Sequence, residues 1–229
     1  MEEKFDEEGL RGVLHTPEQA TGEGLALTHG AGSDSGAPLL VSLSRAFCEA
    51  GVTVLRYDLP FRVARATGPP GTPAAAGRDR EGIARAVAAL RQRVKGRIFA
   101  GGHSYGGRQT AMAAAERPGL ADGLLLLAYP LHPPRKPDQP RTAFFPQWRT
   151  PALFVHGTRA PFGTLEELRA AMERIPARVD LLAVEGAGHD LKGNPGTDRT
   201  ASEFPAKGAG NPWQSCQSLS REIVARMLF

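Results

Sequence analysis

Gly102-His103-Ser104-Tyr105-Gly106 lies between an apolar run, Arg97–Gly101, and an alanine-rich stretch from Ser104 to about Arg117 that Pro118 stops. The run reads as a short strand and the stretch as a helix. A serine with glycines two residues away on each side, at a strand-to-helix turn, is the pattern of a nucleophile elbow. The serine there takes a strained backbone, and anything larger than glycine at 102 or 106 would collide with the neighbouring strand and helix. The helix behind Ser104 aims its first N–H groups at any negative charge developing on an acyl oxygen. A phosphate loop competes for such a glycine-rich turn. However, Gly-Lys-Ser/Thr is absent, and no Gly-x-Gly-x-x-Gly stands early in the chain.

Short apolar runs alternate with helical patterns on either side, which predicts βαβ units and a mainly parallel sheet. Strands are expected at Leu10–Leu14, Gly24–Thr28, Val52–Tyr57, Gly123–Ala128, Ala152–His156 and Val179–Val184. Helices are expected from Pro38 to about Ala50, closed by Gly51, over Leu165–Ile175, and over about Gln214–Leu228. Another runs over roughly 80–95, capped by Asp79, with Ile83, Val87, Leu90 and Val94 on one face. Residues 58–78 read as a Pro/Gly/Ala-rich loop, 129–150 as a loop or small lid, and 186–212 as Gly/Pro-rich and polar.

Two further stretches complete a constellation. His29-Gly30-Ala31-Gly32 leaves an early strand, where such a turn supplies an oxyanion N–H; the backbone N–H groups of Ala31 and Tyr105 are the expected pair. A plain glycine-rich strand exit is the alternative for this turn taken alone. Gly186-Ala187-Gly188-His189-Asp190 follows the last strand, where a histidine can reach across the strand ends and take the serine proton. His15, His103, His132 and His156 have no comparable setting.

The 229 residues suit one α/β domain spanning 1–229, and 41% hydrophobic with 23% charged residues is ordinary for a soluble globular chain. The acidic N-terminus lacks the order of a signal peptide, and no apolar run has the roughly 18 residues of a membrane span, so a cytoplasmic location is the expectation. The net charge of +4 comes from arginines scattered among acids, which favours a solvated surface over a nucleic-acid partner. Cys48 and Cys216 are too far apart in the chain to make a metal site or a disulfide framework; both are expected to be structural. No metal or organic cofactor is implied.

Leu27-Thr28-His29-Gly30-Ala31-Gly32, Arg56-Tyr57-Asp58-Leu59-Pro60-Phe61, Gly101 to Arg108, Tyr129-Pro130-Leu131-His132-Pro133-Pro134 and His156-Gly157-Thr158-Arg159 together resemble the α/β-hydrolase superfamily. Within it they look like the compact dienelactone-hydrolase-like branch. That branch includes the α/β domains of the testis-expressed protein thirty group and of a nonspecific-lethal histone acetyltransferase complex subunit. The resemblance covers about residues 10–228 and implies an α/β-hydrolase fold: a mostly parallel central sheet flanked by helices, with a minimal cap or none. It departs at one point. The family reads roughly Gly-Thr-Arg-Asp-Pro-Phe-Gly where this chain reads Gly157-Thr158-Arg159-Ala160-Pro161-Phe162-Gly163, so Ala160 stands where the triad acid is expected.

Three explanations compete. Another acid serves (Glu185, Asp138, Asp58 or, least favourably, Asp190); a Ser-His dyad suffices; or the chain is a weakened member, natural or mutated. The expected function is hydrolysis of an ester or thioester of a small acyl substrate by Ser104 and His189, as a monomer or homodimer. Phe61, Phe144, Phe145, Phe162 and Trp148 are candidate pocket or lid residues, with core packing the competing role for each. The competing function is a binding or scaffold protein that keeps the fold and has lost turnover.

Overall fold

The computed structural model describes residues 1–7, 9–192 and 212–228. In chain order the strands are β1 Glu2–Glu7, β2 Leu10–His15, β3 Gly24–Thr28, β4 Thr53–Tyr57, β5 Ile98–His103, β6 Gly123–Leu127, β7 Ala152–Gly157 and β8 Val179–Val184. The helices are α1 Pro38–Glu49, α2 Pro60–Ala64, α3 Pro73–Arg91, α4 Tyr105–Glu116, α5 Leu165–Met172 and α6 Pro212–Leu228. The strands form one sheet in the order β1-β2-β4-β3-β5-β6-β7-β8, parallel from β4 to β8, with β2 antiparallel to both β1 and β4.

The apolar runs become the inner strands because both of their faces are covered. Alternate residues split between two cores. Ala26, Leu55, Leu124, Leu126 and Phe154 pack with α3, α4 and α5. Leu25, Leu27, Val54, Leu125, Leu127 and Val155 pack with α1 and α6 on the other face. The expected face of α3 holds: Ile83, Val87, Leu90 and Val94 are all buried.

The chain passes from β3 to β4 on one side and returns to β5 on the other, so the order reverses beside β3. Strand ends diverge at such a switch point and leave a crevice at their carboxyl ends. The turns after β3 and β5 both open there.

Two local expectations need correction. Residues 58–78 are not irregular, because α2 and the start of α3 lie in them. Each helix opens on a proline, Pro60 and Pro73, at a position where the missing N–H costs nothing. Asp79 therefore sits inside α3, fully buried, and does not cap that helix. The acidic N-terminus forms the edge strand β1, with only Phe5 turned inward.

Most of the 186–212 segment lies outside the described residues, as does the side chain of Cys216. Among the described residues no helix is long and apolar enough to cross a membrane.

Candidate active site

Ser104 has φ 50° and ψ −114°, in the left-handed region that non-glycine residues avoid. It is clamped there: its N–H donates to Leu127 O at 2.8 Å, and its carbonyl accepts from Arg108 N–H at 3.0 Å. The flanking glycines answer to backbone contact. A Cβ on Gly102 would lie 2.9 Å from the carbonyl carbon of Gly106 and from Thr28 O, and one on Gly106 would strike His29 O. Gly102 is pressed against α4 and β3, and Gly106 against the end of β3, too closely for a side chain at either position. Tyr105 opens α4, so its N–H belongs to the first turn and has no intrahelical acceptor.

The turn after β3 lies against this elbow, where a Cβ on Gly30 would be 3.5 Å from Ser104 Cβ. Two devices hold it. His29 donates through Nδ1–H to Gly30 O at 2.8 Å and accepts the Leu59 N–H at Nε2 at 3.0 Å. Burial keeps this ring below its ordinary pKa and neutral. Arg62, itself buried, donates to five carbonyls, those of Ala31, Ser33, Arg65, Ala66 and Gly68. It thereby ties α2 to the turn. The Ala31 N–H has no acceptor among the described residues.

His189 comes to the same point from the loop after β8, with Nε2 2.8 Å from Ser104 Oγ. Its main chain is fixed by His103, whose Nε2–H donates to His189 O at 2.7 Å. Its ring is flanked by Phe162 at a centroid distance of 4.2 Å. Burial first, then the charges His103 and His156 would carry, push its pKa down to about 4 against an ordinary 6.5. At neutral pH the ring is an uncharged acceptor facing a serine hydroxyl.

The other ring nitrogen is the anomaly. His189 Nδ1 is buried with no hydrogen-bond partner among the described residues. Each acid considered from sequence is engaged or placed elsewhere. Asp58 binds Arg11 and the Ser35 N–H, Glu185 accepts from Thr158 Oγ1 at 3.5 Å, Asp190 accepts from Lys192 N–H, and Asp138 is exposed. None completes a triad.

The aromatic candidates separate. Phe162 flanks His189, and Phe61 lies 5.6 Å from the rings of both His29 and Tyr105. Phe145 and Trp148 are fully buried and pack with Tyr129 and Phe154 in the core. Phe144 is half-buried and stacks on Trp148. A cavity of about 400 Å³ is bordered by Ala31, Ser33, Arg62, Thr67 and Pro69, beside the turn that abuts Ser104. A second, of about 310 Å³, is bordered by Phe61, Arg65, Thr72, Ala75 and Arg78. Among the described residues no group of three or more His, Cys, Asp or Glu could hold a metal ion.

Sequence reasoning missed several supports. His103 precedes Ser104 and holds the main chain of His189. Arg62 sits in a stretch read as loop. Asp79 accepts from the Tyr105 hydroxyl at 2.7 Å and the Phe61 N–H at 3.0 Å. Its readable signal was a carboxylate inside a helical apolar pattern.

With this geometry in hand, the chain can be set beside known proteins. A family model described as an alpha/beta hydrolase domain matches residues 22–212. Solved structures share the fold at low identity. An alpha-beta serine hydrolase homologue from Coxiella burnetii superposes with a TM-score of 0.71 at 16% identity, covering 100% of this chain and 97% of that one. Est1E from Butyrivibrio proteoclasticus gives 0.69 at 17%, covering 99% and 97%. A dienelactone hydrolase from Anabaena variabilis gives 0.64 at 21%, covering 96% and 95%.

Proposed function

The chain belongs to the alpha/beta hydrolase domain family, and from that premise we propose that it is a serine hydrolase of an ester or thioester with a small acyl group. The observation that carries this reading is the 2.8 Å contact between His189 Nε2 and Ser104 Oγ at a strained, glycine-flanked elbow. The motifs shared with the compact dienelactone-hydrolase-like branch support a substrate site with little or no cap, on a single domain.

His189 Nε2 takes the hydroxyl proton while Ser104 Oγ bonds to the acyl carbon. The carbonyl oxygen becomes an oxyanion and accepts the N–H groups of Ala31 and Tyr105, which have no competing acceptor among the described residues. The dipole of α4 adds to that field. The imidazolium then gives its proton to the departing alcohol or thiol, and the acyl group stays on Ser104. Water attacks next, losing its proton to His189, and the acid leaves as the serine hydroxyl is restored. The cavity of about 400 Å³ beside Ala31 has room for a small acyl or alcohol group. Phe61 borders the second cavity, and Phe162, against the His189 ring, would offer an apolar contact at the reacting centre.

The test is turnover of a p-nitrophenyl ester series with acyl chains of increasing length. Wild type should hydrolyse the short members, and Ser104→Ala should lower kcat by about 10³-fold or more with the fold intact by circular dichroism. Equal rates for the two proteins would refute the assignment.

A further inference from the structure

Asp79 is a fully buried carboxylate inside α3, and no step of the proposed reaction uses it. Its two oxygens reach different elements. Oδ2 accepts from the Tyr105 hydroxyl at 2.7 Å, and Oδ1 accepts from the Phe61 N–H at 3.0 Å. Burial raises the Asp79 pKa, and these two hydrogen bonds work against the rise.

Each tie leads to one of the two expected oxyanion donors. Tyr105 is the first residue of α4, so its N–H lies outside the helical ladder. Ser104, immediately before it, is strained, and a strained backbone persists only where its surroundings hold it. With its hydroxyl held on α3, Tyr105 resists any relaxation of the elbow. The other tie runs to α2. Phe61 N–H belongs to the first turn of that helix, whose own N-cap residue, Leu59, makes no side-chain cap. Asp79 supplies the cap from outside. The segment so fixed holds the turn after β3 in three ways. Leu59 N–H donates to His29 Nε2 at 3.0 Å, Arg62 donates to Ala31 O at 2.8 Å, and the Phe61 ring lies 5.6 Å from that of His29. The Phe61 ring also meets the Tyr105 ring edge-on at 5.6 Å, so the two tied segments pack on each other.

Resting on the serine-hydrolase reading, we infer that Asp79 is a positioning residue for the oxyanion hole: one buried carboxylate sets the Tyr105 and Ala31 N–H groups relative to each other. It touches neither the substrate nor the reacting atoms. Its contribution is preorganisation, because donors already in place need not move as charge develops. Its loss weakens binding of the transition state and leaves binding of the substrate alone.

Three substitutions separate the parts. Asp79→Asn keeps the shape: its oxygen accepts from Phe61 N–H, and its amide donates to the Tyr105 oxygen. Asp79→Ala removes both ties. Tyr105→Phe removes one and keeps the ring, so it carries the test should Asp79→Ala fail to fold. With p-nitrophenyl acetate, Asp79→Ala should lose about tenfold or more in kcat, part of the roughly 10²–10³-fold that one oxyanion donor is worth, with KM unchanged. Tyr105→Phe should lose about threefold or more, and less than about twofold in the Asp79→Ala background, where its hydroxyl has no partner to lose. Asp79→Asn should recover most of the Asp79→Ala loss. An aryl trifluoromethyl ketone, which forms a hemiketal oxyanion on Ser104, should lose affinity across the series in proportion to kcat/KM.

An undiminished kcat in Tyr105→Phe, an equal cost of that change in the Asp79→Ala background, an Asp79→Asn protein as slow as Asp79→Ala, or a constant ketone affinity while kcat falls would overturn the inference and leave the hydrolase reading standing. Absence of turnover in wild type, with Ser104 inert to a fluorophosphonate, would remove both.

Discussion

At the scale of single residues, the chemistry depends on what surrounds two ring nitrogens of His189. Nε2 meets Ser104 Oγ at 2.8 Å, and Nδ1 meets no carboxylate among the described residues. The groups that act on this ring are His103 and His156, which oppose its protonation, and Asp190, which favours it weakly. With the pKa at about 4, the base is unprotonated through almost the whole working range, and the acid limb of kcat/KM should lie near pH 4. Ala160→Asp adds a negative charge that favours the imidazolium, so the pKa must rise and the limb must move upward by more than one unit. At pH 8, where both proteins have a bare base, kcat should increase by about a hundredfold or more, within the ~10⁴ that a triad acid is worth. Superimposable pH–rate profiles for the two proteins would mean that position 160 does not address His189.

At the scale of elements, a two-turn-or-shorter helix carries a disproportionate duty. Helix α2 spans only Pro60–Ala64, yet its Arg62 donates to five carbonyls, two of them, Ala31 O and Ser33 O, in the stretch that follows β3. Arg62→Met keeps the volume and removes every donor. The prediction is a loss of about 3 kcal/mol or more in urea unfolding, together with a lower kcat as the Ala31 turn relaxes. A stability within about 0.5 kcal/mol of wild type would show that the carbonyls find water instead. This element also marks where the sequence ceased to be legible. The inner strands and the elbow announce themselves because their signals are local: continuous apolar runs, and a serine between glycines. Helices α2 and α3 start on prolines inside a Pro/Gly-rich stretch, where composition argues for loop and only tertiary packing of Phe61 and Ile83 argues otherwise. Strand β1 gave no signal, because an exposed edge needs only Phe5 turned inward.

At the scale of the whole molecule, the sheet's switch point assembles the site, and the price of assembly is a set of buried neutral histidines. His15, His29, His103, His156 and His189 all have pKa values pushed below the ordinary 6.5, in each case chiefly by burial, and His15 and His189 to about 4. A depressed folded-state value means that the unfolded chain binds more protons between about 4 and 6.5. Stability is therefore full above pH 6.5 and is lost progressively as the pH falls toward 4. Tm measured at half-unit intervals should be level from pH 8 to 6.5 and fall steeply below it. A curve flat down to pH 4.5 would contradict the neutral, buried state of these rings.

The central claim is that Ser104 is a nucleophile activated by His189. The most direct measurement is covalent: treat the protein with a fluorophosphonate at pH 7.5 and map the adduct by peptide mass spectrometry. One phosphonyl group should appear on Ser104 in wild type, and labelling should slow by about a hundredfold or more in His189→Ala as the general base is lost. An unlabelled Ser104, or labelling at the same rate without His189, would contradict the account.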